Sequence, residues 1–98
     1  MSWANGLQPW LRPYAESLVR YFPQLRVTSA YRSYSEQLQL WNNRARNPYP
    51  VAPPGRSYHQ YGRAWDMVGP SDSLRAAGAT WRSWGGTWNQ SDSIHFQA

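Results

Sequence analysis

The chain has 98 residues, ten arginines, no lysine, no cysteine and a net charge of +5. One domain fits this length, and the lack of cysteine excludes a disulfide framework and any Cys-type structural zinc site. No apolar stretch approaches the roughly 20 residues of a membrane span, so no membrane insertion is expected.

Seven Trp, seven Tyr and two Phe supply the bulk a small core needs. The segment Pro9 to Tyr21 reads as a helix, with Trp10, Tyr14, Leu18 and Tyr21 as its apolar stripe, widened by Leu11 and Val19. Pro13 fits a first turn and Pro23 closes the element. Leu25 to Tyr31 alternates and is rich in strand formers. Ser33 or Ser35 then caps a helix running to Arg44, with Leu38, Leu40 and Trp41 as its stripe and Glu36 in the first turn. Asn47 to Gly55 holds Pro48, Pro50, Pro53 and Pro54 and reads as a stiff extended loop. Arg63 to Val68 is a second strand. Ser71 opens a short helix expected to stop at Gly78. Trp81, Trp84 and Trp88 are expected in the core, with a bend at Gly85-Gly86, and Ile94 to Gln97 forms a last short strand. This order points to an α+β fold with a small antiparallel sheet and flanking helices.

Both histidines and two of the three aspartates lie in two short clusters, Ser57 to Asp66 and Asp92 to Phe96. A tight turn near Tyr61-Gly62 folds His59 back beside the strand carrying Asp66, and an antiparallel neighbour brings His95 alongside. Two His and one carboxylate leave a zinc coordination position open, as catalytic rather than structural sites do. Asp92 is placed to take and return the proton of a water at that position. Arg32, where strand gives way to helix, is the candidate for neutralising a developing oxyanion. Each of these residues taken singly reads more simply as a loop, turn or surface residue; only their combination points to chemistry.

The pattern Ser57-x-His59-x-x-Gly62-x-Ala64-x-Asp66 resembles the first zinc motif of the VanY-type D-alanyl-D-alanine carboxypeptidases. Their relatives include the phage L-alanyl-D-glutamate endopeptidases, and the wider LAS group of zinc peptidases also takes in the hedgehog signalling domain. Trp84-Gly85-Gly86-x-Trp88 followed by Asp92-x-x-His95-Phe96 is similar to the second motif. Ser29-Ala30-Tyr31-Arg32-Ser33 with Glu36-Gln37 is similar to the upstream element. The resemblance runs from about Ser29 to the C-terminus. It implies a hedgehog/DD-peptidase-like fold and Zn2+ held by His59, Asp66 and His95. Asp92 would be the general base and acid, Arg32 would address the scissile carbonyl or a substrate carboxylate, and Ser57 would support the first motif by hydrogen bonding. The stretch between Asp66 and Trp84 is shorter than usual, so the intervening helix is expected to be cut down to about Ser71–Ala77.

The expectation is therefore a single zinc peptidase domain over residues 1–98, with an N-terminal helix at about 9–22 and a catalytic core at about 25–98. Its substrate would be a peptidoglycan stem peptide, cut as a D-alanyl-D-alanine carboxypeptidase or an L-alanyl-D-glutamate endopeptidase. The competing reading is a non-catalytic, zinc-stabilised wall-binding module, which has no need of Asp92. A nucleic-acid binder fits poorly because the arginines are scattered from Arg12 to Arg82. A monomer is expected, made in the cytoplasm without a recognisable secretory signal and acting on the cell wall by phage lysis or particle-associated release. An exo-acting enzyme also needs a cation for the free C-terminal carboxylate, and Arg32, Arg56 and Arg63 are the candidates.

Overall fold

The computed structural model describes residues 3–98. After a single helical turn at Trp3–Gly6, helix α1 spans Arg12–Tyr21, with Pro13 in its first turn, where a missing N–H costs nothing. Strand β1 (Arg26–Ser29) leads to helix α2 (Tyr34–Asn42). Ser33 caps α2 reciprocally: its Oγ accepts from the Glu36 N–H at 3.2 Å, and Glu36 Oε1 accepts from the Ser33 N–H at 2.9 Å. A proline-rich loop follows, then a single turn at Tyr58–Tyr61, β2 (Ala64–Val68), α3 (Ser71–Ser83), β3 (Thr87–Trp88), a turn at Gln90–Asp92 and β4 (His95–Gln97).

The four strands form one antiparallel sheet in the order β1-β2-β4-β3. Alternation along β2 decides the two faces. Trp65 and Met67 point into the core, where Trp65 stacks on Phe96 of β4 at 5.6 Å and meets Trp81 of α3 edge-on at 4.9 Å. Leu11, Ala15 and Leu18 of the α1 region and Leu74, Ala77 and Trp81 of α3 close this core. Asp66 and His95, paired across β2 and β4, point to the opposite face. A register shift between Val27 and Ser29 sets Ser29, rather than Thr28, beside Asp66. This bulge aims the segment leaving β1 at the same face.

Several sequence expectations shift in detail. The buried stripe of α1 is Leu11, Ala15 and Leu18, while Trp10, Tyr14 and Tyr21 are 53%, 56% and 69% exposed. The smaller residues let the helix approach closely, and the large rings keep to its outer side. In α2 the buried residue is Gln37, and Leu38 is exposed. Helix α3 passes Gly78 and ends at Ser83, with Trp84 as its cap and the left-handed Gly85 as its stop. Gly78 is needed inside the helix because the Trp88 indole occupies the space a Cβ would take. Trp81 and Trp88 are buried as expected, but Trp84 is exposed and edges onto Tyr21.

Gly78→Ala is expected to destabilise the fold by about 1–3 kcal/mol through overpacking against Trp88, despite alanine's better helix propensity. A urea denaturation midpoint lower than wild type checks this; an unchanged or higher one contradicts it.

Candidate metal and catalytic site

The site grows from the sheet face that carries Asp66 and His95. Ser57 Oγ accepts the backbone N–H of His59 at 3.3 Å and starts the single turn that holds the histidine. Gly62 ends that turn at φ +65, and a Cβ there would press on the Gly6 carbonyl at 2.8 Å, so glycine is required. The chain then enters β2, which delivers Asp66.

The rings are held from behind. His59 Nδ1 lies 2.6 Å from the Ala30 carbonyl oxygen. A carbonyl only accepts, so Nδ1 carries the hydrogen and Nε2 presents its lone pair inward. His95 Nε2 lies 2.7 Å from Gln97 Oε1, which likewise leaves Nδ1 facing inward. Both inward nitrogens converge on one oxygen, Asp66 Oδ1, at 3.2 and 3.3 Å. The three donor atoms lie within 4.8 Å of one another. The other oxygen, Oδ2, is held by Arg32 Nη2 at 2.9 Å.

Burial opposes ionisation of Asp66, but the adjacent His59 and His95 rings and the nearby Arg32 charge outweigh it. Its carboxyl is held far below the usual range and stays ionised. Burial also favours neutral His95, yet the bonds to Asp66 and Gln97 and the charges of Asp66 and Asp92 raise its pKa overall. Lone pairs aimed at a carboxylate oxygen repel unless protons or a cation lie between them. Two imidazoles with their far N–H groups engaged, plus one carboxylate, are the donor chemistry of a zinc site. The residues present fit that ion.

The site opens into a cleft of ≈ 530 Å³ whose lining includes Arg32, Gln37, Arg56, Asp66, Asp92 and His95. Asp92 sits in the turn hung from Trp88, whose Nε1 donates to the Ser93 carbonyl at 2.9 Å. Burial first, and then the Asp66 charge, raise the Asp92 pKa above the ordinary carboxylate value, against the lowering effect of His95, His59 and Arg32. Arg32 is fastened at three nitrogens: Nε to Ser29 Oγ, Nη1 to Gln37 Oε1 and Nη2 to Asp66. Gln37 in turn donates to the Ala52 carbonyl at 2.8 Å, tying the proline-rich loop to the site.

All six residues singled out from the sequence, Arg32, Ser57, His59, Asp66, Asp92 and His95, line this one cleft. The sequence reading missed Gln97 and the buried linking role of Gln37. Gln97 was within reach of strand alternation, since it lies two residues from His95 on the same face. Gln37 stood in the upstream family element, but its linking role was not read from it, because a polar residue on a short helix reads as solvated.

The α+β layout and the His–Asp–His constellation together define a small antiparallel-sheet scaffold with a cleft whose foot could hold a metal ion. Residues 15–96 match the family described as VanY: D-alanyl-D-alanine carboxypeptidase, and the chain belongs to that family. A solved structure, the LdcB LD-carboxypeptidase, reported as revealing the molecular basis of peptidoglycan recognition, is similar to this chain in fold. The TM-score is 0.71 and the identity 20%, over 94% of this chain and 65% of LdcB. This chain thus spans just under two thirds of that relative. Comparison with curated proteins yields no match. Among the described residues no helix is long and apolar enough to cross a membrane.

The raised His95 pKa gives the metal-free protein a definite pH response. Stability from protonated His95 is fully present below its ordinary 6.5 and is lost as pH rises through the higher folded value. The metal-free melting temperature is therefore expected to fall as pH rises from about 6 to about 8, while the stabilisation on adding zinc grows over that interval, because the ion competes with protons for the rings. Thermal scans with and without zinc check both signs.

Proposed function

We propose that this chain is a zinc-dependent peptidase that hydrolyses an amide bond in peptidoglycan stem peptides and so acts on the cell wall. The observation that carries the reading is the convergence of His59 Nε2, His95 Nδ1 and Asp66 Oδ1 at the foot of a cleft that Asp92 also lines. Membership of a carboxypeptidase family supports it independently.

His59, Asp66 and His95 would hold the ion, with Ala30, Gln97 and Arg32 fixing the orientation of those three groups. Bound there, zinc supplies Lewis acidity and lowers the pKa of a coordinated water to about 7. The Asp92 carboxylate takes the proton of the attacking water as the new C–O bond forms. It returns that proton to the leaving amine as the C–N bond breaks. A carboxylate with its pKa raised by burial is a better base than a solvated one, which suits Asp92 to this task. Arg32 uses one N–H on Asp66 and keeps further donors on its two terminal nitrogens. Those donors are offered to the scissile carbonyl as negative charge builds on its oxygen. Ser57 acts at one remove, by holding the turn that carries His59.

Asp92→Asn is expected to bind zinc at one per chain and to lose roughly 100-fold or more in kcat on defined muropeptides, the range of lost acid–base catalysis. Full activity in this variant removes Asp92 from the mechanism and favours a wall-binding module. His59→Ala is expected to bring bound zinc well below one per chain by elemental analysis; unchanged stoichiometry refutes the ligand assignment.

A further inference from the structure

Three arginines could supply a cation for an anionic substrate end, and their surroundings separate them. Arg32 lines the cleft, but its charge is paired with Asp66 and its nitrogens are also bonded to Ser29 and Gln37. Arg63 lies outside the cleft lining; its Nε donates to the Ala98 carbonyl at 2.7 Å and its guanidinium covers the Tyr58 ring. Arg56 lines the cleft, is exposed, and has a guanidinium with no hydrogen-bond or ion-pair partner among the described residues.

The backbone beneath Arg56 is firmly placed. Its N–H donates to the Pro53 carbonyl at 3.1 Å, closing the Pro53–Arg56 turn. Gly55 is held on both sides: its N–H donates to Gln60 Oε1 at 2.7 Å and its carbonyl accepts from the Tyr61 hydroxyl at 2.5 Å. Arg56 directly precedes buried Ser57 and stands three residues before His59. The free guanidinium is thus carried by a held segment of backbone at the edge of the cleft.

Charge in the cleft gives this cation a task. Arg32 already commits its charge to Asp66, so of the two arginines that line the cleft Arg56 is the one left to receive a substrate carboxylate. A guanidinium offers paired N–H donors that match a carboxylate, and an unpaired one has them free. We propose that Arg56 anchors the free C-terminal carboxylate of the stem peptide and thereby makes the protein exo-acting, a role that rests on the peptidase reading above. Arg32 then serves the scissile carbonyl and Arg56 the terminus beyond it.

The test compares a stem tetrapeptide bearing a free C-terminal carboxylate with its C-terminal carboxamide, using the zinc-loaded full chain. Wild type is expected to favour the free acid by roughly tenfold in kcat/KM, mostly through KM, the size of one charge-assisted contact at an exposed site. In Arg56→Gln that ratio is expected to collapse toward one, and in Arg56→Lys a good part of it is expected to survive. The same ratio is read as Kd by calorimetry on zinc-loaded Asp92→Asn, with and without Arg56→Gln. Absence of hydrolysis in wild type sinks the peptidase reading, while the Kd ratio still decides the role of Arg56. No preference for the free acid, or a preference that Arg56→Gln leaves intact, overturns the proposal.

Discussion

Two imidazole nitrogens meet one carboxylate oxygen at Asp66 Oδ1, and the rest of the molecule is organised around that meeting. Without a proton or a cation between them the arrangement would be unfavourable, because lone pairs would point at a negative oxygen. It is maintained because each group is gripped from behind: His59 by the Ala30 carbonyl, His95 by Gln97 and Asp66 by Arg32. Such outer contacts set tautomer and direction before any ion arrives. A protein with no further use for these contacts would find an apolar cluster at the same place less costly.

The fold can be read as support for this geometry. The antiparallel pairing of β2 with β4 places Asp66 opposite His95, and the one-residue shift in β1 brings Ser29, and the chain toward Arg32, to the same side. On the other face, Trp65, Phe96, Trp81 and Trp88 form a continuous aromatic layer under helices α1 and α3. Within that layer Trp88 of β3 packs on Phe96, its register partner in β4. Trp88 links the two faces, because its ring fills the space beside Gly78 while its N–H holds the turn that carries Asp92.

Much of this was legible in the sequence, for reasons that differ from residue to residue. That the candidate residues would meet in one cleft was legible because the spacing of His59, Gly62 and Asp66 describes a turn into a strand, and the family motifs coincide with that local geometry. The strands β1, β2 and β4 were placed to within a few residues because β-branched and aromatic alternation marks them. Leu11 and Leu18 of the expected α1 stripe are buried, but Trp10, Tyr14 and Tyr21 are not, because close packing selected Ala15 on the same face and left the rings outside. The length of α3 was missed because a glycine inside a helix looks like a stop until its tertiary neighbour, Trp88, is known. The contacts of Gln37 and Gln97 were not legible because they depend on the tertiary fold and on ring orientation.

X-ray absorption at the zinc edge of the metal-loaded protein tests the central claim most directly. The account predicts a single tightly bound ion with two imidazole nitrogens and carboxylate or water oxygens at about 2.0–2.2 Å, and loss of one imidazole from that shell in His95→Ala. A shell with no imidazole, or one that His95→Ala leaves unchanged, would contradict it.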